Sequence, residues 1–310
     1  MNTLSPALPT YLPGGVTRLD DWGVIRVAGP DAARFLHGQL TQDVEHLGGS
    51  QARLAGYCTA KGRLLASFVM WRDGPEDLLL ACSADLLPAV LKRLSMFVLR
   101  SKCKLSDAST ALPLWGLAGA ASAAAPAEAW AWAPHGDARL IRLPAARVGA
   151  HHVPMALQVG GEPSGASLPA EGWRWLEVHT GVARITAATV EQFVPQMVNL
   201  ELVGGVNFRK GCYPGQEVVA RSQYRGTLKR RGQLFYAASP MHAGQEIFHD
   251  ADPGQPAGMV VLGGAWREHH AGLVELKIAA LAGGALHLGQ AEGPLLTPAA
   301  LPYEIPADAA

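Results

Sequence analysis

Cysteine is scarce in this 310-residue chain: Cys58, Cys82, Cys103 and Cys212 form no CxxC pair, and no histidine stands at zinc-finger spacing. A disulfide-stapled scaffold and a self-contained zinc or cluster site are therefore disfavoured. Net charge is missing too, because 26 Lys and Arg balance 26 Asp and Glu. No global basic field exists to hold a phosphate backbone, so direct nucleic-acid binding is not expected. Nowhere do about 18 apolar residues run without a charge, Pro or Gly, as a spanning helix requires. The Ala-rich stretch 116–133 comes nearest, but Gly119, Pro126 and Glu128 interrupt it. The first fifteen residues lack a basic n-region and carry Pro6, Pro9 and Pro13, which reads as neither signal peptide nor anchor. The expectation is a soluble, cytoplasmic protein with free thiols and no membrane partner.

What is present is a globular composition, 49% apolar and 17% charged, long enough for two domains at about 150 residues each. From Gly29 a helix is predicted, with Pro30 and Asp31 in its first turn and Ala33, Phe35, Leu36 and Leu40 on one face, ending near Gly38 or Asp43. Residues 55–71 and 77–83 read as two strands of a hairpin, the turn forced by Asp73-Gly74-Pro75. Ser83 or Asp85 then caps a helix through Leu86, Val90, Leu91 and Leu94, and a third strand follows near 101–106. This β-β-α-β order points to an α+β layer. Residues 117–136 read as a variable connection with a short helix, 138–148 as a strand, and the stretch from Pro169 as a helix with Trp173, Leu176 and Thr180 on one stripe, closing by Gly181. From about Arg231, short apolar runs between Gly and Pro clusters suggest a separate all-β unit, a small barrel or a sandwich.

One segment, FRKGCYPGQEVVARSQYRGTLKRRG at 208–232, stands apart. It gathers a thiol, a tyrosine, an amide, a carboxylate and several cations in a stretch that Gly211, Pro214 and Gly215 keep from being one helix. Cys212 beside Lys210 is the electropositive setting that raises a thiolate fraction. GQEVVAR forms a short helix or a strand, with Arg221 four residues beyond Glu217. The plainer alternative is a structural turn with a surface ion pair and a small buried cysteine. Cys58, Cys82 and Cys103 read as buried strand cysteines, Trp173 and Trp175 as core, and the pair His151 and His152 as no metal site.

KGCYPGQEVVAR with YRGTLKRRG resembles the signature of the YgfZ family, relatives of the glycine-cleavage T-protein, an aminomethyltransferase. FLHGQLTQDV (35–44), YCTAKGRLL (57–65), EVHTGVARI (177–185) and FVPQMVNLELVGGVNFRKGCYPGQE (193–217) extend the likeness over most of the chain. The resemblance implies an α+β fold of T-protein-like type, with three domains around a central opening. On that pattern residues 1–230 are a folate-binding region of two intertwined lobes and 231–310 a C-terminal β-barrel.

It also implies a bound tetrahydrofolate or derivative, and a role in assembly or repair of iron-sulfur proteins, including cluster enzymes that modify tRNA. The partners would be those iron-sulfur proteins or their assembly factors. Carried over residue by residue, Cys212 is the functional thiol and Glu177 matches the T-protein glutamate that pairs with the pterin ring. Lys61, Lys210, Tyr213, Gln216, Glu217, Arg221 and Arg225 complete the ligand-holding set. Lys61, Arg63, Lys210, Arg221, Arg225 and Lys229 to Arg231 would line an opening for polyglutamate carboxylates, the alternative being solvated strand ends. Gln39 and Asp43 fall in the region matching a ligand-facing loop. Where the T-protein has paired aspartates, this chain has Ala66 and Ser67, which argues against classical aminomethyl transfer. A tetrahydrofolate-dependent one-carbon transferase is the alternative function, and a scaffold with a relic folate site a third.

Overall fold

The computed structural model describes residues 8–9, 11–224 and 228–306. In chain order its elements are β1 (Gly15–Arg18), β2 (Trp22–Ala28), α1 (Ala32–His37), β3 (Ala52–Cys58), β4 (Leu64–Gly74), β5 (Asp77–Ser83), α2 (Leu87–Met96), β6 (Lys104–Asp107) and β7 (Leu114–Ala118). They continue as β8 (Trp132–His135), β9 (Ala138–Val148), β10 (His151–Val159), α3 (Ala170–His179) and α4 (Gln216–Tyr224). The last part is all strand apart from one 3₁₀ turn at Ile278–Leu281: β11 (Arg230–Ala237), β12 (Glu246–His249), β13 (Asp252–Trp266), β14 (His269–Lys277), β15 (Leu286–Leu288) and β16 (Leu296–Ala299).

The strands form three antiparallel sheets, ordered β3-β4-β5-β2-β6, β1-β7-β10-β9-β8 and β15-β12-β13-β14-β11-β16. In the third sheet an isolated bridge, His287 to Leu295, links β15 to the residue before β16. In the first sheet Val24, Ile25 and Val27 of β2 are fully buried, as a strand covered on both faces requires. Leu87, Val90 and Leu94 are the buried stripe that α2 lays on this sheet.

Two expectations are corrected. Residues 55–71 are two strands, because Gly62, at φ +72°, turns the chain between β3 and β4. Neither Ser83 nor Asp85 caps α2, whose N-cap is Leu86 with no side-chain hydrogen bond. The Asp85 carboxylate instead accepts the Ala187 backbone N–H at 3.0 Å, tying the helix start to the segment beyond α3.

Helix α3 is the wedge between the second and third sheets. A Cβ on Gly116 of β7 would lie 2.5 Å from the Trp173 ring, and one on Gly264 of β13 would lie 2.6 Å from the Trp175 backbone. Only glycine admits so close an approach, and it comes from both sides of one helix. Trp173, Trp175, Leu176 and Val178 are all buried, and one apolar core runs continuously from the first sheet through α3 into β13 and β14. Glu177 is thereby held inside the molecule on a helix that cannot roll.

Candidate functional site

Glu177 lies on the wall of an apolar cavity with about 490 Å³ of unfilled space, its mouth toward solvent included. Trp22, Phe68, Trp130 and Trp173 bring aromatic rings to its lining, Leu54, Leu143 and Met155 aliphatic side chains, and Ser67, Thr180 and Arg184 polar atoms. Among the described lining residues Glu177 is the one carboxylate. Its two oxygens accept from Arg184, Nε to Oε1 at 2.7 Å and Nη2 to Oε2 at 3.1 Å, in the fork geometry that a guanidinium favours. Arg184 also donates to the Asp21 carboxylate at 3.0 Å and to Ser83 Oγ at 3.2 Å, and its guanidinium stands 4.9 Å from the centre of the Trp22 ring. Burial pulls this guanidinium down, but the Glu177 and Asp21 carboxylates outweigh it and hold it above its ordinary value. Ser67 Oγ accepts the Ile185 N–H at 3.0 Å, which fixes the irregular segment after α3 that carries Arg184 against β4.

The Cys212 segment is a second centre. Thr41 joins the two stretches that meet there: its hydroxyl donates to Gly205 O at 2.6 Å and its carbonyl accepts from Asn207 N at 2.9 Å. Lys210 is buried beneath, donating to the carbonyls of His37 and Leu40 and lying 4.8 Å from the Tyr213 ring centre. Burial pushes its ammonium down to about 8, against the upward pull of Asp43, Cys212 and Glu45. Lys210 thus anchors the loop to the end of α1 instead of facing an opening. Gly215, at φ +81°, packs so tightly on the β3–β4 turn that a Cβ there would fall 2.3 Å from Thr59 O and 2.7 Å from Gly62 Cα. From it α4 begins, a helix rather than a strand, held by the Gln196 side-chain amide donating to Val219 O at 2.8 Å.

Cys212 itself is exposed, whereas Cys58 and Cys82 are buried strand residues whose thiols burial pushes up to about 12. Cys103 departs from the sequence reading, being half-buried in the loop before β6.

Lys61, Glu217 and Arg221 are exposed around the Cys212 loop, Gln216 is half-buried and Tyr213 buried; Arg225 lies outside the described residues. No ion pair joins Glu217 to Arg221 among the described residues. Of the cations after it, Lys229 is exposed, but Arg230 pairs with Glu275 at 2.7 Å, and Arg231, fully buried, pairs with Glu201. Asp43 accepts from His46 at 2.9 Å and continues the α1 end as a local turn. None of the Cys212-loop residues lines the Glu177 cavity. The β3–β4 turn beneath the loop and Ser67 on the cavity wall are five residues apart along one strand, roughly 16 Å. Sequence reasoning therefore found two residues of the cavity, Glu177 and, at the place of the T-protein's paired aspartates, Ser67, and missed Arg184, Trp22 and Trp130 while assigning Trp173 to the core alone. The available signal was Arg184, one helix turn past the Gly181 break and in reach of Glu177.

Among the described residues no three or more His, Cys, Asp or Glu side chains converge as metal ligands, and no helix is long and apolar enough to cross a membrane.

No family model matches the chain. The "tRNA-modifying protein YgfZ" of Edwardsiella ictaluri is 34% identical over 241 residues, covering 73% of this chain and 72% of that protein. The protein of the same description from Cronobacter sakazakii is 34% identical over 248 residues, covering 75% and 74%. That from Photorhabdus laumondii is 33% identical over 246 residues, covering 76% and 74%. The crystal structure of glycine cleavage system aminomethyltransferase T from Bartonella henselae superposes with a TM-score of 0.71 over 93% of this chain and 85% of that one, at 16% identity. The fold is therefore T-protein-like, with mixed helix and sheet.

Proposed function

The chain belongs to the YgfZ family, and on that footing we propose that it is a folate-binding accessory protein. It supports assembly or repair of iron-sulfur clusters, including those of tRNA-modifying enzymes, with Cys212 as its functional thiol. The observation that carries the folate part is the cavity: a lining rich in aromatic residues with one buried carboxylate, the composition that suits a flat heterocycle with an N–H edge. Each Glu177 oxygen uses one lone pair on Arg184 and keeps another, so the carboxylate still has acceptor capacity for an aminopyrimidine edge. The indole N–H groups of Trp22 and Trp173 have no acceptor among the described residues, which leaves two donors for ring oxygen or nitrogen. The residues present fit the group. When bound, a reduced folate would supply its one-carbon and redox chemistry; the chain's own part is to orient the ring and exclude water from it.

The relatives carry tRNA modification in their name, which supports a link to that process. The exposure of Cys212 on a loop braced by Lys210 and Gly215 supports a thiol that meets a protein partner. Under this reading Lys61, Gln216, Glu217 and Arg221 form a polar rim for the glutamate tail, Arg225, outside the described residues, belongs to the same set, and Lys210 and Tyr213 brace the loop from beneath. Residues 1–230 would form the ligand-holding part and 231–310 the barrel of a three-domain arrangement around a central opening; the confinement of the six-stranded sheet to residues 230–299 supports that division. The proposed setting is the cytoplasm.

One-carbon transfer is the weaker reading. Ser67 of β4 faces the cavity where a transferase would need a proton-handling group, and its hydroxyl is engaged with Ile185 N. Both oxygens of Glu177 are engaged by Arg184, which makes it a poor proton shuttle. Calorimetric titration of the purified protein with tetrahydrofolate tests the folate part, and restoration of cluster-enzyme activity in cells lacking the gene, by wild type against Cys212→Ala, tests the thiol.

A further inference from the structure

A groove with about 1510 Å³ of unfilled space, open solvent included, lies between α1 and the end of α2, away from the Glu177 cavity. One wall is Arg34, Phe35 and Gln39, the other Phe97, Leu99 and Arg100. Two of its lining side chains are apolar and uncovered, Phe97 at 45% exposed and Leu99 at 86%, and Met96, 66% exposed, precedes Phe97 at the end of α2. Clustered apolar exposure of this kind is characteristic of interaction sites. Leu99 is doubly unusual, because it also sits in the left-handed region at φ 44°, where a branched side chain is strained.

Cations predominate here: Arg34 and Arg100 line the groove against one acid, Asp31. In a chain with no net charge, residues 86–106 carry Lys92, Arg93, Arg100, Lys102 and Lys104 and no carboxylate. Arg34 of α1 adds a sixth cation from the facing wall. Among the described residues none of the six is within ion-pair distance of a carboxylate. The single acid on the groove, Asp31, is turned to the backbone, accepting the Lys102 N–H at 2.6 Å.

From this juxtaposition we propose that the groove docks an acidic amphipathic segment of a partner protein, its apolar side chains on Met96, Phe97 and Leu99 and its carboxylates on the surrounding cations. Three adjacent apolar side chains, two of them aliphatic, match the anchors of such a segment. A single-stranded nucleic acid would call for a row of aromatic faces. Here the one exposed ring, Phe97, has the Arg93 guanidinium 6.0 Å from its centre. A second copy of this chain would set like charges against like. The helix that walls the groove, α1, also receives Lys210 at its C-terminal end, so an occupant lies against the element that carries the Cys212 loop. The proposal stands whether or not the cavity takes a folate.

The test is fluorescence anisotropy on the full chain with a labelled 18-residue peptide bearing Leu at helical i, i+3, i+4, i+7 spacing and Glu at the flanking positions. Its Glu-to-Lys counterpart and an 18-nucleotide oligouridylate serve as the other probes. The acidic peptide is expected to bind, and Arg34→Glu with Arg100→Glu to weaken it at least tenfold while admitting the basic peptide. Phe97→Ser with Leu99→Ser is expected to weaken the acidic peptide at least tenfold with the charges intact. All four sites are half-buried or exposed at the surface, and circular dichroism checks that the variants stay folded. No binding of the acidic peptide, or binding that ignores both double variants, overturns the proposal. So does tighter binding of oligouridylate that the charge variant abolishes, which would give the groove to nucleic acid.

Discussion

Arg184 grips Glu177 with both prongs of its guanidinium, at 2.7 and 3.1 Å, and holds Asp21 with the same Nη2 at 3.0 Å. The two partners are not equally dependent on each other. Glu177 is buried and draws its charged hydrogen bonds from Arg184, whereas Arg184 keeps Asp21, which is partly open to solvent, if Glu177 is lost.

Arg184→Met should therefore be the costlier change, about 3 to 5 kcal/mol, because it strands a buried carboxylate. Glu177→Gln keeps an amide oxygen for Arg184 and leaves Asp21 in place, so about 1 to 2 kcal/mol is expected. Urea unfolding of the two variants measures the order; equal losses would mean that Asp21 contributes nothing.

Cys212→Ala should leave stability within about 0.5 kcal/mol of wild type, since an exposed thiol loses little packing. It should nevertheless fail to restore cluster-enzyme activity in cells lacking the gene. Full restoration would remove the thiol from the function.

Gly215→Ala should damage the Cys212 loop more than removal of the thiol itself. The position combines φ +81° with a Cβ 2.3 Å from Thr59 O, so backbone on both sides must move. A loss of about 2 kcal/mol or more is expected in thermal unfolding, with faster alkylation of Cys212 as the loop loosens. A variant as stable and as slowly alkylated as wild type would contradict the packing described.

His179 gives a pH signature. It is fully buried, with Nδ1 2.7 Å from Trp175 O and Nε2 3.0 Å from the Tyr236 hydroxyl, and burial pushes its pKa down to about 4 despite the bond to Trp175. The unfolded chain, near 6.5, binds the proton that the folded one refuses, so this residue's contribution is whole above pH 6.5 and is lost as the pH falls toward 4. The span is on the order of 3 kcal/mol. Glu275 acts oppositely. Burial, against the pull of Arg230, raises it to about 7, so its stabilising protonation is present below pH 4.5 and lost as the pH rises through 7. Stability measured from pH 4 to 7 on His179→Gln should lack the acid-side fall seen in wild type. An unchanged profile would place the acid sensitivity elsewhere.

How much of this could be read beforehand depended on how local each feature is. The strand at 138–148 and the helix from 170 to 179 carry their period and their stop within a dozen residues, and they stand where the pattern puts them. The Lys61-Gly62 turn was masked by alternating apolar residues on either side, which read as one strand until Gly62's positive φ broke it in two. Arg230 and Arg231 looked like surface charge because a row of cations says nothing of Glu275 and Glu201, 45 and 30 residues away, that let them enter the core. The candidate site shows the same division. Glu177 and Cys212 sit in recognisable stretches, but the cavity walls come from residues 22, 54, 67–69, 130, 143, 144 and 155, gathered only by tertiary packing around α3. The separation of Cys212 from that cavity was equally invisible, since both fall within one long stretch of family likeness.

The most direct measurement is calorimetric titration of tetrahydrofolate into wild type and into Glu177→Gln, with unfolding curves to show that both are folded under the conditions used. Charge-assisted hydrogen bonds from a ring edge contribute about 1.5 to 3 kcal/mol each, so the wild type should bind one equivalent and the variant should bind on the order of tenfold or more weakly. A wild type that takes up no tetrahydrofolate, or a folded variant that binds it as well as wild type does, would contradict the assignment of the Glu177 cavity to folate.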